Sequence, residues 1–209
     1  MHFSEYITHL QNRIAKGVPG SEFQMRMAPS HRKSLLASVS ESEYRLAAVT
    51  VLIVPSVLQD VIPSVLLIER TVYEGAHSGQ IALPGGKPEA GEELLAAALR
   101  ELQEETGIPS HMPQILGSLT PLYIPPSRFL VHPFLAVMDH IPEIQPQERE
   151  VQRVFTIPVE TLNPVNANEE EIITPEGVKI IAPFFLLDGG QRLWGATAMI
   201  LSEFFALQE

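Results

Sequence analysis

Residues Gly86–Ile108 read GKPEAGEELLAAALRELQEETGI, and the rest of the chain is organised around them. Leu95, Ala98, Leu99 and Leu102 recur at helical spacing and, at about 100° per residue, form one apolar stripe that needs a core. Gly91 serves as the start of this helix, Glu92 and Glu93 suit its positive end, and Gly107 followed by Pro109 stops it. Beside the stripe, Glu101, Glu104 and Glu105 fall at i, i+3 and i+4 and crowd into an arc of about 100°. Like charges at those spacings repel, and they lie at the negative end of the helix dipole, where each acid loses roughly 0.3–1 kcal/mol. Arg100 alone does not offset three carboxylates; a divalent cation would.

An isolated acidic face of this kind is usually solvated. Here Gly86, Glu92, Arg100, Glu101, Leu102, Glu104, Glu105, Gly107 and Ile108 also stand at fixed spacings, which random usage produces about once in ten million chains of this size. Glycine, five residues, Glu, seven residues, then Arg-Glu-apolar-any-Glu-Glu-any-Gly-apolar is the Nudix box, and the chain resembles the Nudix hydrolase superfamily with no departure at these positions. The resemblance implies an α/β fold, an α/β/α sandwich with a mixed sheet. It implies Mg²⁺ or Mn²⁺ held by Glu101, Glu104 and Glu105, with a main-chain carbonyl of the Gly85-Gly86 turn as a further ligand, and Arg100 and Glu92 orienting loop and helix. It also implies metal-assisted attack of water on the diphosphate of a nucleoside diphosphate linked to another group. Glu150, in a loop ahead of Val154-Phe155, is the candidate further acid, as metal ligand or base, with Glu148 its neighbour and competitor; an exposed loop acid is the plain alternative.

Upstream, Leu66–Thr71 and then His77-Ser78-Gly79-Gln80-Ile81-Ala82-Leu83-Pro84-Gly85-Gly86 are similar to a second signature, that of the coenzyme A pyrophosphatase group. Two positions depart from it: Gly75 stands where a second basic residue is usual, and Leu83 replaces an aromatic. The segments from Phe129 to Phe134, Glu150 to Pro158 and Trp194 to Ala198 resemble the same group more loosely. On this reading Arg70, His77, Gly79, Gly85 and Gly86 bind substrate, and coenzyme A is split into 3′,5′-ADP and 4′-phosphopantetheine. The alternatives are ADP-ribose, nucleotide sugars or dinucleoside polyphosphates as substrate, or a non-catalytic nucleotide-binding regulator. Arg70 reads equally as a phosphate clamp or a strand-end charge, His77 and His132 read first as structural, and Trp194 reads as core.

The chain's 209 residues, 45% of them hydrophobic, suffice for one substantial domain, with residues 1–40 forming an N-terminal helix and loop packed on a hydrolase domain over 41–209. A net charge of −11 without a Lys/Arg block argues against nucleic acid as partner but is compatible with a small phosphorylated substrate beside a bound metal. There are no cysteines, which excludes disulfides, thiolate sites and a cysteine nucleophile. The N-terminus lacks the order of a signal peptide, and the apolar run Leu46–Leu58 contains Pro55 and is too short for a bilayer, so a cytoplasmic protein without membrane contact is expected; a homodimer is left open.

In chain order, a helix capped by Ser4 carries Phe3, Tyr6, Ile7, Leu10 and Ile14, residues 18–40 read as loop, and His31, Arg32 and Lys33 as a solvated basic patch. Strands are expected at Leu46–Val54 and Val65–Glu69 as a hairpin, then at Gln80–Leu83, Gln114–Ile124 and Phe129–Met138, and Glu171–Ile173 and Val178–Leu187 flank a turn at residues 174–177, with Asp188-Gly189-Gly190 a further turn before Arg192-Leu193-Trp194. Val154–Leu162 reads as a strand end followed by a short helix, and Ala196–Leu207 as the closing helix.

Overall fold

The computed structural model describes residues 2–32, 44–56, 62–71, 79–141, 143–147, 149–173 and 177–208. Its centre is β1 (Arg45–Pro55), whose residues from Ala47 on are nearly all buried. Both faces of this strand are covered, which is why its sequence from Leu46 on is apolar except for Thr50 instead of an alternation. Along one side it pairs in parallel with β7 (Phe129–Val137) over Arg45 to Ile53; along the other it pairs antiparallel with β2 (Pro63–Arg70) at Ile53–Pro55 and with the two-residue β4 (Gly85–Gly86) at Ala48 and Val49. The remaining strands complete an eight-stranded mixed sheet: β3 (Ile81–Ala82) and β8 (Val151–Pro158) pair with β2, while β5 (Gln114–Ser118) and β6 (Leu122–Ile124) pair with β7. β9 (Asn168–Ile173), β10 (Lys179–Leu186) and β11 (Arg192–Trp194) form a separate antiparallel sheet in the order β11-β10-β9.

The period of two along β1 sorts its side chains between two cores. Ala48 packs with Ala97 and Ala98, and Leu52 and Val54 pack with Leu66, Leu102, Ile108, Ala136 and Met138, beneath α3 (Leu94–Thr106). Thr50 on the same face donates its hydroxyl to the Ala98 carbonyl at 3.2 Å, so its one polar group is satisfied inside the core. Ala47, Val51 and Ile53 face the other way, into a larger cluster with Leu135, Phe185, Leu193, Leu201 and Phe204, closed by α4 (Gly195–Ala206) and α1 (Phe3–Ile14). The result is the expected mixed sheet between helical layers.

Several local expectations are corrected. The N-cap of α1 is His2, not Ser4, and its backbone N–H donates to Glu5 Oε2 at 3.0 Å. Residues 21–27 form a turn of helix, α2 (Ser21–Gln24), running into a 3₁₀ turn (Met25–Met27), where a loop is expected. Arg32 is buried and donates through Nη2 to the Tyr123 carbonyl, so it is no solvated patch. Lys33 and the expected boundary at residue 40 lie outside the described residues. The expected strand Gln114–Ile124 is two strands, because Leu119 bonds to the Pro133 carbonyl, Pro121 has no N–H for a ladder, and the register slips between Ile115 and Gly117. Trp194 is 38% exposed at the end of β11 and is not core.

The N-terminal segment is fastened by one buried carboxyl group. Glu203 on α4 accepts from Gly20 N at 3.0 Å, Gln24 Nε2 at 2.7 Å, Thr120 N at 3.2 Å and Thr120 Oγ1 at 2.6 Å. Ser202 beside it donates to the Phe23 carbonyl at 2.7 Å. A side chain on one helix therefore satisfies donors from two other segments, and its loss would strand several of them in a dry interface at about 1–3 kcal/mol each. Glu203→Ala is expected to cost about 3–5 kcal/mol, which for a protein of this size lowers the thermal midpoint by roughly 6–20 °C; a melt within 2 °C or so of wild type would show that water replaces the carboxyl group.

Candidate active site

The site is built where β4, α3 and the end of β2 meet. α3 starts at Leu94 with Glu93 as an extended N-cap residue, three residues later than a start at Gly91 suggests, so Glu92 belongs to the preceding turn. From that turn the Glu92 carboxylate accepts the Glu89 N–H at 2.8 Å and two bonds from Arg100, from Nε at 2.9 Å and Nη2 at 3.0 Å. The planar guanidinium fork serves the paired geometry, and its other N–H groups reach the Lys87 carbonyl at 3.0 Å, Glu101 Oε1 at 3.0 Å and Glu104 Oε2 at 3.2 Å. Arg100 thus ties the loop to the helix. The bond from Arg100 holds Glu92 below the usual carboxylate range, and Glu92 in return pushes the guanidinium pKa up.

The acidic arc is graded by burial. Glu104 is 51% exposed at its side chain, Glu101 18% and Glu105 2%, since the helix turns Glu105 toward the stripe of Ala98 and Leu102 and Glu104 away from it. This stripe is not quite the expected one: Ala97, Ala98 and Leu102 are buried, while Leu95 and Leu99 are only half-buried. Glu105 therefore does not lie on an outer acidic face. Its Oε2 accepts the Gly85 N–H at 2.9 Å and its Oε1 accepts from Arg70 Nη2 at 3.1 Å. Burial pushes the Glu105 carboxyl up to about 7, against Arg70 and the Gly85 N–H, and the Glu101 and Glu150 carboxylates push the same way. Glu101 is also raised, first by burial and further by Glu104 and Glu150, with the Arg100 bond opposing.

The two glycines of β4 are demanded by close approach. A Cβ on Gly85 would sit 2.3 Å from the Ala48 carbonyl oxygen, at a φ of +154°, and one on Gly86 would sit 2.4 Å from the Glu101 carboxyl group. Sheet backbone and acidic helix thus meet with no side chain between them.

Glu150 reaches the same place by loop pairing: its carbonyl accepts the Thr71 N–H at 3.0 Å, immediately after Arg70, and its carboxylate is close enough to act on Glu101 and Glu105. Gly79, at φ +65°, lies opposite Thr71, whose carbonyl its N–H faces at 3.4 Å. His132 on β7 pairs in register with Ala48 and is half-buried, which lowers its pKa. His77, Gly75 and Glu148 lie outside the described residues. The carboxylates are gathered but divided between two arginines, and among the described residues no three acidic or histidine side chains already converge as a cation site.

Sequence spacing does not reveal the Arg70–Glu105 pair, whose partners are 35 residues apart, or the Lys87 carbonyl as an Arg100 acceptor. It also does not reveal that Arg45 and Lys87 approach the same ring, Phe129, at 4.3 and 5.5 Å from its centroid. The strand register that brings them together is the missing signal. Because one guanidinium serves four acceptors, Arg100→Lys, with a single ammonium, is expected to release the turn before the helix: amide hydrogen exchange at Glu89 and Glu92 should rise at least about tenfold, read by mass spectrometry or NMR. Unchanged protection would mean that the turn holds itself.

Comparison with known proteins agrees with this geometry. Residues 44–176 match the NUDIX domain. A protein of Yersinia pestis (strain Pestoides F) called an uncharacterized Nudix hydrolase NudL is 30% identical over 142 residues, covering 66% of this chain and 69% of its own. Nudix hydrolase 3 of Caenorhabditis elegans is 29% identical over 194 residues, covering 86% and 79%. Among solved structures, a MutT/nudix family protein from Enterococcus faecalis superposes with a TM-score of 0.52 at 20% identity, covering 88% of this chain and 70% of that one. The MutT protein from Methanosarcina mazei Go1 gives 0.51 at 19%, covering 81% and 98%. With its domain match, its hydrolase relatives and its fold in agreement, the chain belongs to the Nudix family and is a pyrophosphohydrolase acting on phosphoric anhydrides.

Proposed function

We propose that this protein hydrolyses the diphosphate of a nucleoside diphosphate linked to another group, with coenzyme A or its derivatives as the substrate, using Mg²⁺ or Mn²⁺ held by Glu101, Glu104 and Glu105 and a Gly85 main-chain oxygen. The observation that carries this reading is the approach of Glu101 to Gly86 and of Glu105 to Gly85 on a strand without side chains, with Glu150 close enough to act on both carboxylates and Glu104 on Glu101. The residues fit a divalent cation. They offer hard oxygen donors: burial first, and then the neighbouring carboxylates, raise the Glu101 and Glu105 pKa values despite two arginines, and a small dication would offset that negative charge. A bound metal of this kind neutralises the diphosphate and lowers the pKa of the attacking water.

The chain's own residues have distinct parts. Arg100 fixes the helix to the loop, so that Glu101 and Glu104 keep their places relative to Gly86. Glu150, exposed and outside the helix, is the group suited to take a proton from water, because it alone of the four makes no bond to an arginine among the described residues. Coenzyme A as substrate rests on Arg70, Thr71 and the approach through Gly79 to Gly86, which the sheet holds together: Arg70 N bonds to the Gln80 carbonyl at 3.0 Å beside the β2–β3 pairing.

Glu104→Gln is expected to abolish turnover while leaving the thermal midpoint unchanged or slightly higher, since it removes a charge close to Glu101 and an exposed pair worth little. Glu150→Gln should lower kcat more than it raises KM. Normal turnover in Glu104→Gln would remove the metal assignment, and wild-type kcat in Glu150→Gln would move the base into the helix. On substrate, Mg²⁺- or Mn²⁺-dependent cleavage of coenzyme A is expected at modest efficiency, with Gly75 costing about 10- to 100-fold in kcat/KM against a basic residue there. Assay beside ADP-ribose and diadenosine polyphosphates decides: efficient cleavage of either with coenzyme A untouched overturns the coenzyme A assignment alone.

A further inference from the structure

Arg70 stands at the end of β2, where the register against β8 shifts between Glu69 and Arg70, and its side chain is 27% exposed. Its partner Glu105 is 2% exposed, and both carboxylate oxygens are taken, Oε1 by Arg70 at 3.1 Å and Oε2 by the Gly85 N–H at 2.9 Å. The two contacts are unequal in kind. The Gly85 N–H belongs to a strand wedged against Ala48 and orients the carboxylate, whereas the guanidinium is the end of a long side chain that reaches solvent. A buried carboxylate without a counter-charge is costly, so a positive group facing Oε1 stabilises the ionised Glu105.

We propose that Arg70 is a placeholder cation: it neutralises Glu105 in the metal-free protein, gives up Oε1 when a divalent cation binds, and swings toward solvent, where its guanidinium meets the anionic substrate. This rests on the metal-dependent reading above and assigns Arg70 a positioning role that precedes substrate contact. Gly85 keeps hold of Oε2 throughout, so the carboxylate does not have to be rebuilt during the exchange. The neighbouring Thr71 N–H bond to the Glu150 carbonyl would couple the movement of Arg70 to the loop that carries Glu150.

The exchange makes Arg70 a competitor of the metal, so its removal should tighten metal binding. Calorimetric titration of metal-free protein with Mn²⁺ is expected to give a Kd about 3- to 30-fold lower for Arg70→Gln than for wild type, the range set by a charge-assisted bond discounted for partial exposure. The metal-free variant should melt lower than wild type, with Mn²⁺ restoring it. Lys87→Gln removes a cation whose side chain lies over Phe129, and it should change the Kd less than twofold or so, separating direct competition from the general field. Should Arg70→Gln fail to fold, phenylglyoxal labelling of wild type mapped by mass spectrometry decides: Arg70 should react faster with saturating Mg²⁺, with Arg192 as the unchanged reference. Mn²⁺ affinity in Arg70→Gln that is unchanged or weaker, an equal gain in Lys87→Gln, or Arg70 labelling that Mg²⁺ leaves flat or slows overturns the exchange alone. Wild type that binds no Mn²⁺ overturns both this inference and the metal-dependent reading.

Discussion

The structure depends on holding several carboxylates together at the end of one helix without letting their repulsion unwind it. Arg100 carries most of that work by taking Glu92, Glu101, Glu104 and the Lys87 carbonyl at once. Arg70, from a different strand, takes the one carboxylate that Arg100 does not reach. Burial raises the Glu101 and Glu105 pKa values against these two guanidiniums, and the neighbouring carboxylates add to the rise.

The scaffold that permits this is β1, buried on both faces. One face fixes α3 through Ala48, Thr50 and Leu52, and the same strand, one side over, fixes Gly85 and Gly86. Helix and glycine strand are therefore registered against a common reference, and a slip of one residue along β1 would turn Thr50 into the other core and remove the Gly86 gap from Glu101. The far layer, with α4 and the Glu203 network, holds the N-terminal segment rather than the carboxylates. Glu203 and the acidic arc of α3 thus lie on opposite faces of one sheet.

What the sequence determined by itself was the local part. The helix within Gly86–Ile108, its stop at Gly107 with φ +78°, the acids along it and most of the strands follow from periodicity, glycine and proline placement, which act over a few residues. The membership of the box was legible because its spacing is itself local. Tertiary structure decided the rest. That Glu105 is buried and Glu104 exposed depends on which way α3 rolls against β1; that Arg70 meets Glu105 depends on the β1–β2 register; that Glu150 joins the cluster depends on β8 pairing with β2. Arg32 is buried where it donates to a carbonyl on β6, and Trp194 stays outside because it alternates with the buried Leu193 along β11. Each of these outcomes joins residues distant in sequence, and burial sets the energy of a charge only after such contacts have formed, which is why no reading of neighbouring residues could anticipate them.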